Sequence, residues 1–147
     1  MRWRFADRID AFEPWKMIRG RKGISLEESS LLERFGRPGV MPESLVLEVC
    51  VHFARWLVAA SSDWQESCLL TEIKEFVFES EARMGDNLRI ALSLSQPVDN
   101  RLWMHCVVSA DERLVAQGNL ALDLVTLTDL QDLESMRIMW QELYEPA

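Results

Sequence analysis

The sequence predicts an α+β domain in which one long buried helix lies against about six mostly antiparallel strands. Three observations point there. Residues 42–62 form the longest apolar run of the chain, and after it the hydrophobic pattern changes to period two. The later strand-like runs are joined by links of only a few residues, which makes consecutive strands antiparallel neighbours.

In chain order, residues 3–12 and 15–24 read as two strands of a hairpin, with turn chemistry at Glu13-Pro14 and with Gly20 and Gly23 weakening the second. Residues 27–33 suggest a helical turn. It leads to the loop 36–39, whose two glycines and Pro38 hold backbone shapes that other residues resist. Pro42 suits the first helical position, where a missing N–H costs nothing, and Glu43 puts negative charge in the first turn. The helix that follows is apolar on almost every side and is expected to be buried. Ser44, Glu48, His52 and Arg55 are the exceptions, and their spacing lines them up as one polar stripe. A buried carboxylate and imidazole one turn apart must be paired, hydrated or functional. Strands are expected at 69–78, 88–95, 102–110 and 113–126, joined by Met84-Gly-Asp-Asn, Pro97-Val-Asp-Asn and Asp111-Glu. Residues 129–144 place Leu130, Leu133, Met136, Met139, Trp140 and Leu143 on one face of an amphipathic helix. The expected division is a domain over 1–126 and a helical extension over 127–147 packed on it.

A chain of 147 residues with 48% hydrophobic and 27% charged side chains is one folded domain, not a disordered segment. Its net charge of −8 is uneven: residues 1–37 hold 9 of the 16 Lys and Arg but 6 of the 24 Asp and Glu. Nucleic acid is therefore not an expected partner, while the basic end is suited to something acidic. Cys50, Cys68 and Cys106 are an odd number without paired spacing, in apolar segments, and read as reduced core residues. The N-terminus lacks the apolar core of a signal peptide, and the long apolar run is too short and too polar to span a bilayer, so a cytoplasmic protein without membrane association is expected. No Gly-rich phosphate loop, nucleophile elbow or HExxH occurs, and no cofactor or metal is implied. His105 lies mid-strand with nothing in sequence converging on it.

Arg34-Phe-Gly-Arg-Pro-Gly-Val-Met-Pro-Glu-Ser-Leu-Val-Leu-Glu48 resembles the active-site segment of the hotdog-fold 3-hydroxyacyl-acyl carrier protein dehydratases, His-Phe-Pro-Gly-x-Pro-x-Met-Pro-Gly, four residues, then Glu. Phe35, Met41, Pro42 and Glu48 match without a gap. Phe5-Ala-Asp-Arg-Ile-Asp10 resembles the family's opening strand, and Met84-Gly-Asp-Asn-Leu88 its Pro-Gly-Asp-x-Leu, so the resemblance spans roughly the first 126 residues. It implies a curled hotdog sheet around the helix, a homodimer, and an acyl thioester on acyl carrier protein or coenzyme A as ligand. Its site would be Glu48 with Phe35, Gly36, Arg37, Met41 and Pro42. The C-terminal helix is a departure. Three others touch the site: Arg34 stands where the family has its catalytic His, Glu43 where it has Gly, and His52 where it has Gln.

Dehydrating a 3-hydroxyacyl thioester needs a base for the proton beside the carbonyl, an acid for the departing hydroxyl and N–H donors for the enolate oxygen. A guanidinium at Arg34 cannot exchange a proton near neutral pH, although it can bind an anion or pin Glu48. Two possibilities follow. Either the reacting pair has moved to Glu48 and His52, or the pocket binds acyl chains without dehydrating them. The competing readings are a non-catalytic hotdog subunit partnering an active paralogue as a heterodimer, and a thioesterase in which Glu48 activates water.

Overall fold

The computed structural model describes residues 6–25, 39–95, 101–126 and 133–144. The expected turn at 27–33 and most of the loop 36–39 lie outside these. The elements are β1 (Arg8–Glu13), β2 (Met17–Gly23), β3 (Val40–Met41), α1 (Glu43–Ser61), β4 (Glu66–Phe78), β5 (Ala82–Arg83), β6 (Asn87–Leu94), β7 (Leu102–Ala110), β8 (Arg113–Thr126) and α2 (Leu133–Leu143). Six strands form one antiparallel sheet in the order β1-β2-β6-β7-β8-β4. The helix α1 packs against one face of it, the hotdog arrangement that the resemblance implied.

Period-two patterning positions that helix. Ile18 on β2, Leu88, Ile90 and Leu92 on β6, Met104, Cys106 and Val108 on β7, and Leu120 and Leu122 on β8 all point inward and are at most 1% exposed. They meet Val49, Cys50, Phe53 and Leu57 of α1, each completely buried. Burying a large aliphatic or Phe side chain contributes about 1.5–3 kcal/mol, so this layer is the main source of stability.

Gly20 does not weaken β2, as its sequence context suggested; it makes the contact with α1 possible. A Cβ at this position would meet Phe53 Cε1 at 2.3 Å and the Arg8 carbonyl oxygen at 2.4 Å, so the Phe53 ring occupies the space that a side chain would fill. Trp15 turns the β1–β2 hairpin at φ 55°, and its N–H donates to Ser61 Oγ at 2.8 Å, tying the hairpin to the last turn of α1.

Pro42 is not the first helical residue but the one before it. Its ψ of 145° is extended, and its carbonyl accepts from the Leu45 and Val46 N–H groups. Ahead of it, Val40 and Met41 pair with Arg83 and Ala82, a two-residue ladder too short to show any period in the sequence. Arg113 fastens the region behind this ladder: it donates to the Glu81 carbonyl, to Ser80 Oγ at 3.3 Å and to Asp86 Oδ2 at 2.7 Å.

At the other end of α1 an aromatic cluster joins α2 to the sheet and helix. Trp140 lies 5.8 Å from Trp56, 5.7 Å from Trp64 and 5.1 Å from Phe12. Met136 is buried beside them, whereas Met139, expected on the same apolar face, is 42% exposed. Contrary to the expectation that this run is too short and too polar, α1 is, among the described residues, the one helix whose length and composition would allow it to cross a membrane. Most of its apolar side chains are buried in the chain's own core, with Leu45, Leu47 and Ala60 half-buried.

Candidate functional site

Two features of α1 define the site. The first is its N-terminal turn. Pro42, Glu43 and Val46 form one wall of a cleft of about 400 Å³, with Val40 and Met41 beside them and Phe78–Ala82 residues opposite. The cleft therefore sits where the free N–H groups of a helix end give a positive partial charge. Met41 is 3% exposed and anchors this turn in the core. Among the other residues that the resemblance implies, Arg34, Phe35, Gly36 and Arg37 lie outside the described residues.

The second feature is the polar stripe, and its members do not share one environment. Glu48 is exposed, contrary to the expectation of a buried carboxylate, and among the described residues no hydrogen bond or ion pair reaches it. The physical reason is the width of the sheet's inner face, which covers only part of the helix circumference. His52, one turn on, is half-buried and accepts the indole N–H of Trp56 at Nε2, 2.9 Å away. A nitrogen that accepts carries no proton, so the ring is neutral with its hydrogen on Nδ1. Burial, and then the nearby Arg55 charge, push its pKa from 6.5 down to about 4. The same guanidinium lies close enough to Cys68 of β4 to oppose the burial that pushes that thiol up to about 12. Arg55 thus locates the stripe on the flank of α1 nearest β4.

Among the described residues nothing packs over the outer part of that flank. β4 is an edge strand of thirteen residues, paired with β8 on one side only. Ile73 on it is 44% exposed, and Leu69 and Val77, paired with Asp123 and Gln117 on the opposite face, are 45% and 48% exposed. Ile73 is paired with the fully buried Leu120 and so faces inward, beyond the reach of α1. Two bulges bend the strand, and Glu75 adopts φ 53° at the second. The result seats Phe76 against Gly118, where a Cβ would lie 2.4 Å from the Phe76 Cα.

The remaining sequence candidates separate clearly. His105 is exposed on the outer face of β7, 3.1 Å from Asn119 Oδ1, away from the site. Cys50, Cys68 and Cys106 are free and buried, and the Cys106 thiol is held well above its ordinary pKa by its hydrogen bond with Cys50 and by burial. None is poised as a thiolate. No group of His, Cys, Asp and Glu that could hold a metal occurs among the described residues. In the basic N-terminal third, Arg19 is exposed and Lys16 pairs with Glu13 at 3.4 Å, but Lys22 points inward and is 1% exposed. It cannot present its charge to a partner as its sequence position suggested. Arg2 and Arg4 lie outside the described residues. Trp56 is the site residue that sequence reading missed; its only signal was the i, i+4 spacing from His52, hidden among other apolar residues.

No family model matches the chain. It is 26% identical over 126 residues to the 3-hydroxyacyl-[acyl-carrier-protein] dehydratase FabZ of Levilactobacillus brevis, covering 85% of each chain. Among solved structures it resembles a hot-dog-like protein from Thermanaerovibrio acidaminovorans, with a TM-score of 0.65 and 16% identity over 92% of this chain and 96% of that one. It also resembles the fluoroacetyl-CoA thioesterase FlK, with a TM-score of 0.65 and 11% identity over 88% and 97%.

Proposed function

We propose that this chain, a hotdog-fold member of the FabZ-like group, binds acyl thioesters carried by acyl carrier protein or coenzyme A, as a divergent 3-hydroxyacyl thioester dehydratase-like protein of fatty acid or polyketide-type biosynthesis in the cytoplasm. The observation that carries this reading is the placement of Glu48: an exposed carboxylate on α1, unpaired among the described residues, on the flank beside the exposed Ile73 of β4 and one turn from the cleft at the helix N-terminus. An exposed carboxylate without a partner among the described residues is available to a ligand, to the site loop or to a second protomer.

The second protomer belongs to the proposal. A long edge strand that carries Leu69, Ile73 and Val77 is a template for pairing with another chain. Antiparallel pairing of two β4 edges would continue the sheet and cover Ile73. It would also bring the stripe of one chain near the site loop of the other, so that Arg34, Phe35, Gly36 and Arg37 join Glu48, Met41 and Pro42 in one pocket. The helix-end N–H groups would hold the thioester oxygen. Glu48 would take the proton next to the carbonyl and return it to the leaving hydroxyl, which departs as water. His52 adds no ready base here, because its Nε2 lone pair is occupied by Trp56; through Nδ1–H it acts as a hydrogen-bond donor.

A single acid/base also suits a second reading. Hydrolysis of the thioester needs Glu48 only to activate water, without an acid for a departing hydroxyl, and the missing loop imidazole favours that simpler task. A non-catalytic subunit paired with an active paralogue would use the same pocket with no proton transfer. Incubating the chain with 3-hydroxybutyryl and crotonyl thioesters separates them. Interconversion of the two, lost in Glu48→Gln and raised in Arg34→His, is the expected result. Release of free thiol that needs Glu48 would establish the thioesterase instead, and acyl binding without either reaction would establish the non-catalytic subunit.

A further inference from the structure

On the sheet face opposite α1, the outer surface of β2 and β6 opens a groove of about 530 Å³, rimmed by Arg19, Arg21 and Arg89. Strand register explains the concentration of charge. Arg8 is paired with Arg21, and Arg21 with Arg89, so three adjacent strands bring their arginines into one cross-strand row. Arg19 lies two residues from Arg21 on the same face. Like charges directly opposite one another destabilise a sheet. Asp10 offsets part of this: Arg21 forks its carboxylate through Nε and Nη2, both at 3.0 Å, and Arg8 Nε stands 3.6 Å away. Arg19 and Arg89 are exposed, and among the described residues no hydrogen bond or ion pair engages them. This concentration of positive charge occurs in a chain of net charge −8. Asp10 engages Arg21 and Arg8, and the exposed guanidiniums of Arg19 and Arg89 remain available to an anion.

We propose that this groove is a binding site for a ligand bearing two or more phosphate charges, a pyrophosphate or nucleoside diphosphate group, separate from the acyl site across the sheet. Guanidinium groups chelate phosphate oxygens in a planar fork, and Asp10 already holds the Arg21 fork in a fixed orientation. Arg21 and Arg89 face one phosphate from neighbouring strands. Arg19, roughly 7 Å along β2 at 3.3–3.4 Å per residue, reaches a second. Small residues keep the floor open: Ala11 and Ala91 flank Arg19 on the neighbouring strands, and Ser109 supplies a hydroxyl beside Arg89. The volume lies within the range of about 300–1,000 Å³ for small-ligand sites. A groove with this floor offers no deep apolar socket for an anchor from the acidic face of a carrier protein, so the shape favours the small anion.

The test is isothermal titration calorimetry of the full chain with inorganic pyrophosphate, ADP and coenzyme A, at low and at physiological salt. One pyrophosphate is expected per chain, with affinity falling as salt rises. ADP that binds at least as tightly as pyrophosphate identifies a nucleotide as the natural source, and tighter binding of coenzyme A than of ADP identifies its phosphorylated end. The double variant Arg19→Ala/Arg89→Ala is expected to weaken pyrophosphate binding by about a hundredfold, roughly tenfold for each guanidinium removed from the phosphates. Its thermal midpoint should stay the same or rise, because a like-charge pair is relieved; a purely structural role for these arginines would lower it. The proposal is overturned if pyrophosphate does not bind, if the double variant binds it as the wild type does, or if the variant loses affinity for an acidic carrier protein while pyrophosphate never bound. Competition between pyrophosphate and an acyl-pantetheine thioester, which has no nucleotide, would overturn it too, since it would place both ligands in one site.

Discussion

Strands β6 and β4 belong to one sheet and carry similar numbers of apolar residues, yet the sheet uses them in opposite ways. Leu88, Ile90 and Leu92 of β6 are at most 1% exposed, while Ile73, which faces the same side of the sheet from β4, is 44% exposed. The difference is what lies above them. α1 covers β6 and, through the packing of Phe53 on Gly20, β2; it meets β4 as well, where Cys68 is fully buried, but leaves Ile73 open. Apolar patterning therefore says that a surface will be covered, and not by what. On β6 the cover is the chain's own helix; on β4 it is, in the proposed dimer, a second copy.

The largest expected effect breaks the covered side. Phe53→Ala removes the ring that fills the space above Gly20 and should lower stability by about 3–5 kcal/mol in urea unfolding. Gly20→Val attacks the same packing from β2 and should cost about 1–3 kcal/mol or more through overpacking, since both the Phe53 ring and the Arg8 carbonyl oxygen would have to move.

Next in size is an effect at the boundary of the two regions. His52 is held neutral in the fold, with a pKa of about 4 against 6.5 when exposed. Between those values the unfolded chain binds the extra proton and the folded chain does not. Its contribution is complete above pH 6.5 and is lost as pH falls towards 4, by about 3 kcal/mol at most. Urea curves at pH 7 and pH 4.5 measure it, and His52→Gln should flatten the dependence. Trp56→Phe removes the donor to Nε2 and should raise the imidazole pKa, read from the ring proton shifts by NMR. An unchanged pKa would mean that Trp56 does not set the tautomer.

The uncovered side should respond differently. Ile73→Glu should change the stability of the single chain by no more than about 0.5 kcal/mol, as expected for an exposed position, yet convert a dimer to a monomer in light scattering. A dimer that survives this change would move the interface away from β4. The smallest effect belongs to Glu48→Gln. Exposed and with no partner to lose among the described residues, it should leave the urea midpoint of a dilute, monomeric sample nearly unchanged while removing any thioester chemistry.

Legibility in the sequence followed how local the physics was. The bounds of β7 and β8 match the period-two pattern over 102–110 and 113–126, and the hairpin, the long helix and the antiparallel order were readable from turns and short links. The ladder of Val40–Met41 with Ala82–Arg83 was not, because two residues show no period and their partners are about forty positions away. Near the cleft, the start of α1 was legible to within one residue from Pro42 and Glu43. The exposure of Glu48, the engagement of His52 by Trp56 and the inward turn of Lys22 were not.

By itself the sequence determined the α+β class, the buried helix, the strand succession and the likeness to the FabZ dehydratases, since all of these depend on periodicity, turn residues and motif spacing along the chain. Tertiary structure alone decided which side of α1 the sheet leaves open, that Gly20 is a seat for Phe53 and not a weakness, and that arginines from β1, β2 and β6 stand in one row. Those outcomes depend on strand register and on the width of the sheet relative to the helix. No pattern within a single element encodes either, because both are set by how distant segments meet.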